Sequence, residues 1–315
     1  MATRLDPSTP YADLLARLIS GGVLSPAGAK GVYDRRGAYT EVIEAVARLI
    51  TRTSLDALDL AANGTYEVHR FGPILPMPVY ERTDYVDSFP QLTGMISVFN
   101  GGNREHNQII QARAHGEPWV QHFEPGDAMM VSAACHPVYE QLPKDIPAEG
   151  ITADVEGWCF RHEPSDDPLR QQTFRMKELV YVGTREGAAE FRAGWIPRVL
   201  DMLRSLELPV STVSANDPFF GRVGTLLANG QLDKDLKTEF VVSLYGPDNE
   251  ATAISSCNNA EDHFGVKFGL TNSDGEPAHT ACTAFGLDRI TLALFAVHGI
   301  DVTAWPPATR RQLDL

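Results

Sequence analysis

Cys282 and Arg289 stand seven residues apart in the stretch His279-Thr-Ala-Cys-Thr-Ala-Phe-Gly-Leu-Asp-Arg289. The stretch reads as a short strand, a glycine break, and a helix running to about His298. A thiol can bind a metal. An arginine in the first turn of a helix adds its charge to free N–H groups that already favour anions. The spacing therefore suggests a metal and a phosphate held close together. Cys135, Glu178 and Cys282 could form the metal site, with His136 and His279 as competitors. Two thiolates and one carboxylate suit zinc, and three protein ligands leave a fourth position open. No CxxC spacing occurs, and buried thiols beside an ion-paired glutamate would give the same pattern.

A second set of residues could hold the anion. Asp154 to Glu163 and Thr173 to Val182 read as the two strands of a hairpin. Between them lies a polar loop, Pro164 to Gln172, with two prolines and two aspartates. Alternation puts Cys159, Arg161 and Glu163 on one face, and Phe174, Met176 and Glu178 on one face of the return strand. An arginine binds phosphate through paired hydrogen bonds. A ring can stack on a purine, and Glu163 can accept from its exocyclic amine. A surface ion pair and a core phenylalanine are the plainer alternative. Cys159 and Cys257 read as core thiols. Phe219-Phe-Gly-Arg-Val-Gly224 reads as a structural turn. Arg192, Arg198 and Arg204 lie along a helix from about Gly187 to Leu206, as a solvated face or toward an acidic partner.

Other elements must position these residues. Tyr11 to Ile19 and Thr40 to Leu60 carry apolar residues at helical spacing, broken apart by Gly21, Gly22, Pro26, Gly28 and Gly31. Residues 1–60 read as a helical cap or dimer element without evident chemistry. Tyr66 to Pro90 is β-like and proline-rich, and a helix follows. Ser132 to Tyr139 reads as a strand end stopped by Pro137. Leu236 to Tyr245, Thr252 to Asn258 and Phe264 to Thr271 read as further strands. Helices thus precede a run of antiparallel-type strands, an α+β class in one domain spanning 1–315.

Composition narrows the function. The chain is 43% hydrophobic and 22% charged, as in an ordinary globular protein. Its net charge of −14 and six lysines argue against broad nucleic-acid contact. The four scattered cysteines do not suggest a disulfide framework. There is neither an apolar run long enough for a membrane helix nor a signal-peptide h-region, so the expected location is the cytoplasm.

Taken together, the motifs resemble the amino acid:[carrier protein] ligases, shortened homologues of class II seryl-tRNA synthetases of the atypical archaeal type. The resemblance runs from about Phe89 to Pro306. It rests on the order and spacing of Ser132–Tyr139, Phe160–Glu163, Arg170–Glu178, Asp217–Gly224, Asp262–Gly265 and Gly275–Arg289. It implies a class II catalytic domain with an antiparallel sheet of about six strands flanked by helices. A homodimer is implied as well. Phe160–Glu163 with its return strand resembles motif 2, Gly286–Arg289 motif 3, and Arg70–Tyr80 a degenerate motif 1. By resemblance, Arg161 holds the α-phosphate, Glu163 the adenine amine, Phe174 the adenine ring, and Arg289 its other face or the γ-phosphate. Arg170 and Gln171 touch ATP. Lys237 and Ala253, Ile254, Ser255 and Ser256 complete the pocket. Cys135, Glu178 and Cys282 match the family's zinc ligands, and Mg2+ would bridge the ATP phosphates.

The implied reaction is ATP-dependent activation of a small amino acid, glycine or alanine, to an aminoacyl-adenylate. The aminoacyl group then passes to the phosphopantetheine thiol of a carrier protein, without tRNA. The alternatives are a tRNA-charging enzyme and an inactive paralogue. The chain departs from the family in two places. Cys257-Asn-Asn-Ala260 stands where an aromatic and a Tyr-His pair are expected, and Ala253 where an acidic metal ligand is usual.

Overall fold

The structure is a computed structural model that describes residues 10–57, 65–215, 236–246 and 248–315. The Phe219–Gly224 turn lies outside them. From the N-terminus, α1 (Ala12–Ser20) leads into a hairpin of β1 (Leu24–Pro26) and β2 (Tyr33–Arg35), followed by α2 (Ala38–Ala57). Next come β3 (Thr65–Phe71), β4 (Ile74–Pro76), α3 (Met77–Glu81), α4 (Tyr85–Ser88), β5 (Met95–Val98), α5 (Asn103–His115), β6 (Glu124–Met130) and α6 (Val138–Gln141). The central hairpin is β7 (Ile151–Phe160) with β8 (Thr173–Gly183), followed by α7 (Arg185–Ser205) and β9 (Val210–Ser214). The chain ends with β10 (Lys237–Val242), β11 (Thr252–Glu261), α8 (His263–Phe268), β12 (His279–Gly286), α9 (Leu287–His298) and α10 (Pro307–Leu313).

Seven strands form the main sheet in the order β3-β7-β8-β12-β11-β10-β9. From β7 to β9 every pairing is antiparallel; only β3, at the edge, runs parallel to its neighbour β7. The α+β class and six-stranded antiparallel core therefore agree with expectation, with β3 added. A small separate sheet, β4-β6-β5, packs against the main sheet through the second of two apolar clusters. One apolar cluster fills the side of the main sheet beneath α1, α2, α7 and α9. On that side α9 is buried nearly all round, with Leu287, Ile290, Leu292, Ala293, Leu294 and Phe295 inaccessible, as suits a helix enclosed by its own domain. The second cluster joins the opposite face to α6 and α8. Cys257 and Cys159 are buried in the first and second clusters respectively.

Four expectations of local structure change. Tyr66–Pro90 is β-like only as far as Pro76, beyond which α3 and α4 follow. Phe264–Thr271 contributes no long strand; most of it is α8, ended by Gly269 at φ +62. Phe264 and Phe268 are the i and i+4 residues of that helix, with ring centroids 6.3 Å apart. Their even spacing also fits a strand, which is why the pattern misleads. Ser132–Pro137 is a turn leading into α6, closed by His136 N–H to Ala133 O and Val138 N–H to Cys135 O. Residues 1–60 are not solely helical, because β1 and β2 form a hairpin between α1 and α2. No described helix is long and apolar enough to cross a membrane.

Candidate active site

Strand register builds the site. Residues directly opposite one another in an antiparallel pair project to the same side. Lys237 faces Asn258 and Asn258 faces Cys282, giving one row across β10, β11 and β12. Glu239, Ser256, Ala284 and Glu178 form the next row, from β10 to β8. Along β8, Phe174, Met176 and Glu178 follow at alternate positions on one face, a backbone span of about 13 Å from the first to the last. All these residues line a single cavity of 760 Å³.

Toward Phe174 the cavity is cationic. Arg161 lies just beyond the end of β7, so it is set by the adjoining loop rather than by strand alternation. Its Nε donates to Ser132 O at 3.0 Å, and its guanidinium carbon lies 5.5 Å from the Phe174 ring centroid. Arg289, in the first turn of α9, donates from Nε to Leu169 O and from Nη1 to Ala253 O, both at 2.9 Å. Burial lowers the Arg289 pKa, and the charge of Arg161 lowers it further while Glu163 opposes them. Two guanidinium groups thus repel across the cavity, an arrangement that an anion would relieve. Arg170 pairs with Glu163 at 3.5 Å. Ala253, Ile254, Ser255 and Ser256 also line the cavity. The Ser255 hydroxyl is engaged, donating to Ala284 O at 2.7 Å. Gln171 is not in the lining. Its side chain is buried, accepts from Arg35 and donates to Pro168 O at 3.1 Å.

Toward Glu178 the donors are two thiols and a carboxyl group. Cys135 comes from the turn before α6, and its N–H donates to Glu178 Oε1 at 3.1 Å. Burial raises the pKa of the Cys135 thiol well above its ordinary value, and the nearby Glu178 and Cys282 add to the shift. Burial likewise raises the Glu178 pKa, against hydrogen bonds from Cys135 and the charge of Arg161. Cys282 Sγ accepts from Asn258 Nδ2 at 3.3 Å. The expected trio therefore shares one region of one cavity. It does not form a ready-made ligand cluster: among the described residues no group of three or more His, Cys, Asp or Glu is placed to hold a metal ion. The register explains part of this, since Glu178 faces Ala284 and Cys282 is its diagonal neighbour, a longer reach. In kind, two thiols and a carboxylate suit zinc; in position, they are not gathered around a point.

The competing histidines separate. His136 lines the cavity beside Tyr85 and Phe264, and burial, then Arg161, pushes its pKa down to about 3, so the ring is neutral. His279 is buried outside the cavity lining. Lining residues that sequence reasoning passed over include Asp288, Glu239, Glu250, Tyr85 and Phe264.

No protein-family model matches the chain. It is 38% identical to amino acid--[acyl-carrier-protein] ligase 2 of Bradyrhizobium diazoefficiens over 312 residues, covering 98% of this chain and 90% of that relative. The chain belongs to the amino acid--[acyl-carrier-protein] ligase family. This family member is also 26% identical, over 206 residues, to the type-2 serine--tRNA ligase of Methanopyrus kandleri, covering 61% of this chain but 38% of that protein. Among solved structures, M. kandleri SerRS in complex with A. aeolicus tRNASec matches with a TM-score of 0.78 at 20% identity. That match covers 96% of this chain and 60% of the solved one. It establishes the class II synthetase fold.

Proposed function

We propose that this ligase activates a small amino acid, glycine or alanine, with ATP and passes the aminoacyl group to the phosphopantetheine thiol of a carrier protein. The single observation that carries the proposal is the two-sided cavity, with guanidinium groups at Phe174 and thiol and carboxylate donors at Glu178. Family membership supports the carrier protein as acceptor.

Phe174 stacks on the adenine ring, and Glu163 accepts from its exocyclic amine. Arg161 and Arg289 lie where the triphosphate enters, already fixed to backbone carbonyls. They need little reorganisation as charge builds on the α-phosphate, which is how such groups lower a barrier. The amino acid's carboxylate attacks that phosphorus in line, and pyrophosphate leaves; the carrier thiol, losing its proton, then attacks the aminoacyl carbonyl, and AMP leaves. Arg170 adds positive charge beside Arg161 and Arg289, and Lys237, paired with Glu239 at 3.0 Å, adds it in the Cys282 row. Glu239 and Glu250 line the same cavity and are oxygen donors suited to Mg2+, although Ala253 supplies none.

Cys135, Glu178 and Cys282 would hold zinc, which would supply an open position for the substrate's α-amino group. The donor types support this part of the reading, and their present spacing does not. Tyr85, His136, Tyr139 and Phe264 crowd the cavity beside Cys135, consistent with a small side chain. We further propose a cytoplasmic homodimer.

The test is a charging assay with ATP and each amino acid, offering apo-carrier protein, holo-carrier protein and tRNA in parallel. Aminoacylation confined to the holo-carrier is the expected result. Acylated tRNA beside untouched holo-carrier would replace this reading with a tRNA-charging one.

A further inference from the structure

The N-terminal hairpin, outside the sheet that bears the site, grips the two segments that carry the arginines. Arg35, the last residue of β2, reaches both through three residues. Its Nε donates to Asp288 Oδ1 at 2.5 Å, beside Arg289 in the first turn of α9. Its Nη2 donates to Gln171 Oε1 in the 161–172 loop and to Thr173 O at the start of β8, next to Phe174. Its guanidinium carbon lies 5.0 Å from the Trp158 ring centroid. Asp288 is buried and also accepts from Tyr39 OH and from the Arg175 N–H.

The hairpin turn holds the same loop from the other side. Gln172 N–H donates to Gly31 O at 2.8 Å, Gln172 Nε2 donates to Lys30 O at 2.7 Å, and Lys30 pairs with Asp166 at 2.8 Å. Gly31 has φ +69, and a Cβ there would lie 3.3 Å from Arg170 O and 3.4 Å from Glu163 O. A side chain there would be strained by this φ and would crowd the Arg170 and Glu163 carbonyls, so glycine is what lets the turn lie this close to the loop.

We propose that residues 24–35 form a clasp on the nucleotide side of the cavity, with Arg35 as its positioning residue. Arg35 touches no substrate. Through one planar fork it fixes Thr173, the neighbour of Phe174, and Asp288, the neighbour of Arg289. It also balances a buried carboxylate that would otherwise face the triphosphate with an unpaired negative charge. The clasp serves ATP and not the amino acid, because its hydrogen bonds and ion pairs to the site fall on the 161–173 loop and the start of α9, and none on Cys135, Glu178 or Cys282.

This inference rests on the ATP reading above, so the wild-type protein is tested first. Calorimetry with α,β-methylene-ATP and pyrophosphate-exchange kinetics are measured on wild type, Arg35→Met, Arg35→Lys and Gly31→Ala, each with a thermal unfolding curve. Wild-type protein that fails to bind the analogue defeats the ATP reading itself. Given wild-type binding, Arg35→Met is expected to weaken the analogue and raise the ATP KM by about tenfold or more, leaving the amino-acid KM within about twofold. Arg35→Lys keeps the charge but cannot span both acceptors, and should recover less than half of the loss. Gly31→Ala should weaken ATP by about threefold through Arg170. If Arg35→Met does not fold, Gly31→Ala carries the test alone. Folded variants with unchanged ATP affinity, equal shifts in both KM values, or full rescue by lysine would overturn the clasp.

Discussion

The two sides of the cavity meet burial in opposite ways. Near Phe174, charged groups remain charged because backbone carbonyls hold them: Ser132 O holds Arg161, and Leu169 O and Ala253 O hold Arg289. Near Glu178, burial drives the groups toward neutrality: the Cys135 thiol and the Glu178 carboxyl are pushed up and His136 is pushed down to about 3. The first side is built to meet an anion without rearranging. The second is quiet until a cation or an amine arrives to pay back the cost of ionising it. One strand, β8, joins them.

The largest expected effect should separate the sides cleanly. Cys282→Ala is expected to abolish adenylate formation and reduce bound zinc, while ATP binding by calorimetry persists. Full activity in a metal-free Cys282→Ala protein would remove zinc from the mechanism. Arg289→Ala comes next. It should lower kcat/KM for ATP by about a thousandfold, because the lost guanidinium acts on developing charge. Exchange kinetics at varied ATP check this, and an unaltered ATP dependence would refute the assignment.

The comparison was only partly legible in the sequence. The β7–β8 hairpin and the β12–α9 stretch follow from alternation and a glycine break, and with them Phe174, Glu178, Cys282 and Arg289. The α8 helix was not legible, because Phe264 and Phe268 sit at a spacing that both helix and strand allow. Arg161 was read as a strand residue, yet β7 stops at Phe160. Arg35 was invisible. Strands of three residues are too short to show alternation, and its partner Asp288 lies 253 positions away. Gln171 was expected at ATP by resemblance; its side chain instead turns inward to Arg35.

Smaller effects sharpen the same contrast. Phe174→Ala should raise the ATP KM by about tenfold, the worth of one base–aromatic stack, with little change for the amino acid. A matched rise in both would place the ring at the wrong substrate. Smallest of all, Cys257 should resist alkylation at pH 8 in the folded enzyme, since burial pushes its thiol up to about 11. Mass spectrometry before and after unfolding checks this, and rapid labelling of the native protein would show that its strand is not closed.

One measurement bears most directly on a cavity that joins ATP to an amino acid. Amino-acid-dependent ATP–pyrophosphate exchange, run across all amino acids with metal analysis of the same sample, should show exchange with glycine or alanine above all others. No exchange with any amino acid in zinc-replete enzyme would contradict it.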